Sequence, residues 1–334
     1  MKKLKREVIN LEGIKVGIFG AGRWGMNHVR TANKILGGEN VTVCDPSPGI
    51  ELKIKELNPE INFTVNPDDV FNDSLINCTI IATPVETHFN VAIRALESGK
   101  HALVEKPITL HVQEAEKLNS VATDKGLRLM VGHVLLFHPA VIKMKQMINE
   151  GDLGVLQYMY SHRLNLGTIR KEENILWSFA PHDISVIQYL ADSNPISISA
   201  KGADFIRSEI EDVTLTTFTY PNNFHAHIFV SWLHPFKEQR MVIIGTKGML
   251  VFEDSAVNDK LKFFKKGFME VDGEPEKFDE EAIVVGYENK APLEEEQRHF
   301  FECVLNGNEA RTNGVHALEV LKILEEAQHC LKQK

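Results

Sequence analysis

The chain has 334 residues, 43% hydrophobic and 25% charged, with a formal net charge of −9. That balance suits a soluble globular protein, and a length of this order predicts two domains rather than a single core. The acidic surplus excludes a nucleic-acid partner, because too few basic groups are left over to neutralise phosphates.

In chain order, the basic residues 1–6 are followed by no apolar stretch of useful length. They read as a solvated tail rather than a signal peptide, and no later run is long enough to span a membrane. Residues 15–45 then carry a short β-type apolar run, a Gly-rich turn, a helix-length segment and a second apolar run closing on a carboxylate. The turn, Gly20-Ala21-Gly22-Arg23-Trp24-Gly25, is a complete G-x-G-x-x-G. Glycines at that spacing allow a tight exit from the strand, close approach of a pyrophosphate to bare backbone, and packing of the next helix on its strand. A helix beginning near Gly22 aims unpaired N–H groups and its positive dipole end at the phosphates. Asp45 closes the run Val41-Thr42-Val43-Cys44, where a carboxylate accepts hydrogen bonds from both adenosine-ribose hydroxyls and repels a 2′-phosphate. Pro46, Ser47 and Pro48 follow it, with no Arg. The stretch predicts an NAD site, in preference to NADP, built from Gly20, Gly22, Arg23, Trp24, Gly25 and Asp45.

Downstream the pattern predicts a helix over 49–57, a short strand at 63–65 and a turn passing into a short helix at 66–69. A buried strand over 79–83 ends at Pro84, and a helix runs from about Thr87 to a stop at Gly99. A strand at 101–104, the triplet Glu105-Lys106-Pro107, a helix near 112–125 and a strand at 127–131 complete the series. Strands alternating with helices mean a parallel, doubly wound sheet. Its ligands gather beyond the carboxyl ends of the strands, where Gly20, Asp45, Thr83, Glu105 and Gly132 are expected to converge on one crevice.

After residue 131 the pattern changes. One more helix is expected over 139–150, then strands at 156–163, 196–202, 213–220, 224–232, 240–245, 248–253 and 260–264. Helices are expected only at 180–191, 293–303 and 315–332, and residues 265–281 read as a mobile surface loop or hairpin. The expected fold is therefore α/β in two domains: an NAD-binding Rossmann domain over 1–132 and a substrate-binding and oligomerisation domain over 133–334 with a large, mostly antiparallel open sheet. Helices on one face leave the other for a partner subunit. Cys44, Cys78, Cys303 and Cys330 stand far apart with no C-x-x-C spacing. They read as reduced thiols of a cytoplasmic protein, neither a disulfide framework nor a metal site.

Two segments carry candidate chemistry. Charged residues directly after a buried strand, as in Glu105-Lys106-Pro107, must turn to solvent or serve the crevice. Pro107 biases Lys106 toward an extended backbone, and an ammonium beside a bound nicotinamide stabilises negative charge growing on a sugar oxygen. In Trp177-Ser178-Phe179-Ala180-Pro181-His182-Asp183-Ile184, Pro181 suits the first turn of a helix, placing His182 and Asp183 at its N-terminal end. That end disfavours the imidazolium and leaves His182 ready to accept a proton. A capping or packed histidine is the alternative for the same segment.

The Gly-rich turn, Ala82-Thr83-Pro84 with Thr87-His88, Glu105-Lys106-Pro107, Gly245-Thr246-Lys247-Gly248 and the pattern over 293–333 together resemble the Gfo/Idh/MocA oxidoreductase family across nearly the whole chain. The resemblance implies a Rossmann domain followed by an α/β domain with an open sheet, an active site between them, and homodimers or homotetramers formed through that sheet. It implies that Lys106 is the active-site lysine, that Thr83, Pro84, His88, Glu105 and Lys106 itself join the cofactor site, and that His182 is the histidine of a D-x-x-x-H pattern. The chain departs from that pattern: Ser178 stands where many members carry Asp, and Ser185 where a later Asp often follows. An Asp-assisted proton relay is thereby put in doubt, leaving Lys106 and His182 as the catalytic pair.

Arg163-Leu164-Asn165-Leu166-Gly167, Arg170, Asn174-Ile175-Leu176-Trp177 and Ala180-Pro181-His182-Asp183 look like the branch acting on nucleotide-linked sugars, notably UDP-N-acetylglucosamine 3-dehydrogenases. Arg163 and Arg170 suit a diphosphate, and Trp177 suits stacking on a sugar or base. Asn165, His182 and Asp183 complete the expected substrate set. The alternatives for these residues are surface ion pairs for the arginines and a core position for Trp177. The expected activity is NAD-dependent oxidation of a sugar secondary hydroxyl, at C3 of a UDP-linked N-acetylhexosamine. A free-polyol dehydrogenase or ketosugar reductase of the same fold, and a non-catalytic NAD-binding regulatory protein, are the alternatives.

Overall fold

The structure, a computed structural model, describes residues 10–333, so the basic residues 1–6 lie outside the described part. The chain divides into two compact units. One holds the chain up to Val134 together with Ala291–Leu318, and the other holds Leu135–Lys290 and Glu319–Lys334.

In the first unit the elements run β1 (Val16–Phe19), α1 (Gly25–Leu36), β2 (Val41–Cys44), α2 (Ile50–Leu57), β3 (Asn62–Thr64), α3 (Pro67–Phe71), β4 (Cys78–Ile81), α4 (His88–Glu97), β5 (His101–Val104), α5 (Val112–Asp124) and β6 (Leu129–Val131). All six strands form one parallel sheet in the order β3-β2-β1-β4-β5-β6. The strands are parallel because a helix or helical crossover returns the chain after each of them. Every residue of β1 and of β4 is buried, as expected where helices cover both faces and unbroken Val/Ile runs replace alternation. Gly17 belongs to that packing, since a Cβ there would meet Val70 Cγ1 of α3 at 2.3 Å.

Registers Phe19↔Cys44, Phe19↔Ile81, Ile81↔Val104 and Val104↔Val131 bring the carboxyl ends of five strands level. Winding reverses between β1 and β4, which is where an open α/β sheet leaves its ligand crevice.

The second unit contains α6 (Pro139–Glu150), β7 (Leu156–Leu166), α7 (Ile175–Ala191), β8 (Ser197–Ala203), β9 (Val213–Thr219), β10 (His225–Ser231), β11 (Leu233–Gly245), β12 (Met249–Glu253), β13 (Leu261–Phe264), β14 (Lys266–Val271), β15 (Glu274–Asp279) and β16 (Ile283–Val284). Eight strands form a sheet ordered β16-β13-β12-β11-β7-β10-β9-β8, antiparallel throughout except for β7 beside β10. That pair is parallel because α7, β8 and β9 intervene in the chain. Residues 265–281 contain the separate hairpin β14–β15.

On β7, Met159 and Ser161 are buried on the side facing α7, while Tyr158 (43% exposed), Tyr160 and His162 point to the other side. There Tyr160 stacks on His227 with ring centroids 5.2 Å apart, matching their direct opposition in the sheet.

Two helices close the chain, α8 (Pro292–Asn306) and α9 (Gly314–Lys332). The expected division put everything after residue 132 in one domain, whereas Ala291–Leu318 groups with the first unit. The reason is packing. Helix α8 buries Phe300 and Phe301 completely and lies on α1, and Thr312 brackets Val131 of β6 with its carbonyl oxygen and its hydroxyl.

Candidate functional site

The three glycines of the turn differ in what they do. Gly20 has φ +85°, and a Cβ there would meet the Ala82 carbonyl oxygen at 2.8 Å. A Cβ on Gly25 would sit 2.1 Å from the Gly20 carbonyl oxygen, so this glycine lets α1 pack on β1. A Cβ on Gly22 would meet nothing within 4 Å. No internal packing demands a glycine at Gly22, and the open space above its backbone fits close approach of a ligand pyrophosphate. The helix opens at Gly25, with Met26 N–H donating to the Gly22 carbonyl at 2.9 Å. Its first turn carries no acidic side chain to compete with an anion.

Asp45 follows β2 and is 6% exposed. Its Oδ2 accepts from the Ala21 N–H at 2.6 Å and its Oδ1 from the Ser47 N–H at 2.8 Å. The carboxylate therefore fixes the Gly-rich turn to the loop after β2, and each oxygen retains a second lone pair for a hydroxyl.

After β4, Thr87 Oγ1 reaches both Thr83 Oγ1 and the Pro84 carbonyl at 2.7 Å. His88 is buried, with Nδ1 2.9 Å from the Pro107 carbonyl and Nε2 3.0 Å from the Thr83 carbonyl. Both partners only accept, and a neutral ring donates to one of them at a time. Burial pushes this imidazole down, against the opposing pull of the two carbonyls. His88 thus braces the loop after β4 against Pro107, which a cis peptide bond joins to Lys106.

At the end of β5, Glu105 Oε1 accepts from the Trp24 indole at 2.6 Å and lies 2.7 Å from His28 Nε2. Its Oε2 accepts from the Lys106 backbone N–H at 3.1 Å. Burial pushes this carboxyl up, but its hydrogen bonds to His28 and to the Trp24 indole and the charge of Lys106 outweigh it and hold it below the usual carboxylate range. Gly132 makes the room, because a Cβ there would meet Glu105 Oε1 at 2.8 Å. Within this unit the expected set Gly20, Asp45, Thr83, Glu105 and Gly132 gathers at one end of the sheet, with Lys106 beside an ionised carboxylate.

Three residues of this cluster escaped sequence reasoning. His28 lies one helical turn past Gly25 on the buried face of α1, a position that marks it only once a partner is known. Gln297 and Glu296 come from α8, far along the chain, and are fully buried. Gln297 Nε2 contacts His28 Nδ1 at 3.0 Å and donates to the His28 carbonyl at 3.2 Å. Both Glu296 carboxyl oxygens are buried without a hydrogen-bond partner. Burial, then the charge of Glu105, push Glu296 well above the ordinary range.

In the second unit the expected helix start is corrected. Helix α7 begins at Ile175, where Asn174 Oδ1 accepts from the Trp177 N–H at 3.2 Å, and Pro181 lies inside it. His182 and Asp183 are therefore in the helix interior, so the dipole argument for His182 does not hold. A mid-helix proline costs about 3 kcal/mol. Each fully buried Leu or Ile returns roughly 1.5–3 kcal/mol, and α7 buries Ile175, Leu176, Ile184, Ile187 and Leu190. Packing wins.

The expected substrate residues are placed as follows. Asp183 is 2% exposed; it takes Arg163 Nε on Oδ2 at 2.8 Å, a second Arg163 nitrogen on Oδ1 at 3.1 Å, and the Ser161 hydroxyl on Oδ1 at 2.6 Å. Burial opposes the charge of Arg163, and the charge and hydrogen bonds of Asp183 together with the charge of Asp254 more than restore it. Arg170 is exposed and pairs with Glu173 at 3.1 Å. Trp177 Nε1 donates to Gln328 Oε1 at 3.0 Å. Asn165 Oδ1 is buried with no hydrogen-bond partner. Ser185, where an Asp is often found, donates to the His182 carbonyl at 2.8 Å. Among the described residues no group of three or more His, Cys, Asp or Glu is placed to hold a metal ion, and no helix is long and apolar enough to cross a membrane.

Comparison with known proteins agrees with this geometry. Residues 14–133 match the model of an oxidoreductase family with an NAD-binding Rossmann fold, and residues 141–251 match the Gfo/Idh/MocA C-terminal domain. The chain is 28% identical to scyllo-inositol 2-dehydrogenase (NAD(+)) of Bacillus subtilis over 250 residues, covering 71% of this chain and 73% of that one. It is 29% identical to UDP-N-acetylglucosamine 3-dehydrogenase of Acidithiobacillus ferrooxidans over 140 residues, 42% of this chain and 44% of that one. The solved structure of the Acidithiobacillus protein superposes with a TM-score of 0.82 at 22% identity, covering 95% and 97% of the two chains. A levoglucosan dehydrogenase in complex with NADH and levoglucosan gives 0.81 at 19% identity, covering 95% and 96%. Likenesses at these identities show a shared fold.

Proposed function

The chain belongs to the Gfo/Idh/MocA family of NAD-binding oxidoreductases, which includes dehydrogenases of sugars and polyols, and we propose that it is an NAD-dependent dehydrogenase oxidising a secondary hydroxyl, at C3, of a nucleotide-linked sugar such as UDP-N-acetylglucosamine. The observation that carries the dehydrogenase reading is the open backbone at Gly22 beside the Glu105–Lys106 pair, at the ligand end of one parallel sheet. NAD bound there supplies the hydride acceptor. Gly20, Gly22, Gly25 and the start of α1 would hold its pyrophosphate. Asp45 would take the adenosine ribose and disfavour NADP.

Lys106 holds the substrate oxygen and stabilises negative charge on it, and His182 accepts the hydroxyl proton. Asn165, with its orphan amide oxygen, together with Arg170 and Trp177, supplies the substrate contacts. A second copy of the chain covers the sheet face that carries Tyr158, Tyr160, His162 and His227. Sedimentation of the purified protein reads that association.

A second reading, a free polyol as substrate, is favoured by one specific observation: Arg163 spends its guanidinium on Asp183 inside the fold, which leaves Arg170 alone for a diphosphate. Absorbance at the reduced-nicotinamide band, read after mixing protein and NAD with UDP-sugars, glucose or inositol, separates the two. A signal with UDP-N-acetylglucosamine supports the first reading, a signal with free polyols alone the second, and silence across the panel with NAD bound sinks both.

A further inference from the structure

We infer that Gln297, on α8, is a positioning residue of the NAD site, anchoring the His28 ring through Nδ1 and the His28 carbonyl so that His28 holds Glu105 against the Gly-rich turn and the Lys106 backbone. It rests on the placing of Glu105 and Trp24 in that site.

The Gln297 side-chain nitrogen lies 3.2 Å from the His28 carbonyl oxygen and 3.0 Å from His28 Nδ1. A carbonyl oxygen only accepts, so the amide end facing it is the NH₂ group, and its second hydrogen is directed at Nδ1. Nδ1 is therefore the accepting nitrogen. The ring hydrogen sits on Nε2 and donates to Glu105 Oε1 at 2.7 Å. In the other tautomer Nε2 would turn a lone pair toward an ionised carboxylate at that same distance.

Both His28 and Gln297 are fully buried, so water does not replace a lost partner. From Glu105 the effect branches to the Trp24 indole on Oε1 and to the Lys106 N–H on Oε2. Trp24 is the fifth residue of the G-x-G-x-x-G and is 44% exposed, so its indole is set by this bond more than by packing. Burial and the charge of Glu105 push the carboxyl of the neighbouring Glu296 well above the ordinary range.

The test uses the full chain with ¹⁵N-labelled histidine, read by imidazole ¹⁵N shifts, with His28 assigned by its loss in His28→Asn. NAD affinity is read by titrating tryptophan emission, and Trp24→Phe identifies the part that reports Trp24. Wild type is expected to show hydrogen on Nε2. Gln297→Met, of similar length and without the amide, is expected to keep the Nε2 hydrogen, held by Glu105, while showing a shifted Nδ1 resonance, altered Trp24 emission and NAD binding weaker by about tenfold. Gln297→Glu, which accepts from Nδ1, is expected to protonate both nitrogens and weaken NAD binding similarly.

A folded Gln297→Met whose Nδ1 resonance is unchanged, or that binds NAD within about twofold of wild type, overturns the inference. If that variant does not fold, wild-type NAD affinity in Gln297→Glu overturns it. Neither readout requires turnover, so a failed catalytic assignment for Lys106 shows separately, as normal turnover in Lys106→Ala.

Discussion

Arg163 and Asp183 form a buried bidentate ion pair within the second unit, with side chains 14% and 3% exposed. Both were expected to face substrate, and each instead neutralises the other across β7 and α7. Removing one partner strands a buried charge, which costs about 3–5 kcal/mol. Arg163→Ala is therefore expected to lower the thermal midpoint sharply, and Arg163→Lys to recover only part, because an ammonium does not reproduce the two-pronged contact. A variant as stable as wild type with a selectively raised KM would return Arg163 to the substrate set.

Gly22 and Gly25 separate binding from folding. Gly22→Ala has open space for its methyl group and is expected to keep the wild-type melting midpoint while weakening NAD binding by about tenfold or more, roughly 1.4 kcal/mol per factor of ten. Gly25→Ala drives a methyl group to 2.1 Å from a carbonyl and is expected to destabilise the fold by about 1–3 kcal/mol. Calorimetry of NAD binding beside thermal melts decides; equal effects of the two variants on both readouts would remove the distinction.

Lys106→Ala and His182→Ala are expected to keep NAD affinity and to lose turnover by about two to four powers of ten. Near-normal rates in both variants, on whichever sugar proves to be the substrate, would refute the catalytic pair.

Glu296 and Glu105 give opposite pH signatures. The carboxyl of Glu296 is raised well above 4.5, so the folded state keeps a proton that the unfolded chain gives up, and this group's effect is to lower stability as pH climbs above about 4.5 toward its folded value. The depressed carboxyl of Glu105 stabilises above that range, and its contribution is lost as pH falls through its folded value. Glu296→Gln is expected to melt higher than wild type at neutral pH and to flatten the decline on the alkaline side. Parallel midpoint-against-pH curves for the two proteins would contradict the assignment.

Much of this was legible in the chain because it is local. The G-x-G-x-x-G, the run ending at Asp45 and the β-branched segment before Pro84 are properties of a few adjacent residues, and they specified the parallel sheet, its ligand end and the residues gathered there. Turn residues likewise indicated most of the antiparallel strands. The start of α7 was misjudged because Pro181 is a strong local sign of a helix beginning, and the Asn174 cap with the buried apolar face overrode it.

What the sequence determined by itself is the order of elements and the cofactor-binding end of the first sheet, since short-range periodicity and backbone sterics decide both. The tertiary structure alone decided which polar groups meet: Arg163 with Asp183 across strand and helix, and Gln297 with His28 across most of the chain's length. Such pairs form because a buried charge or donor must find a partner within hydrogen-bonding distance, and which partner arrives is set by packing between segments that carry no mark of each other in sequence.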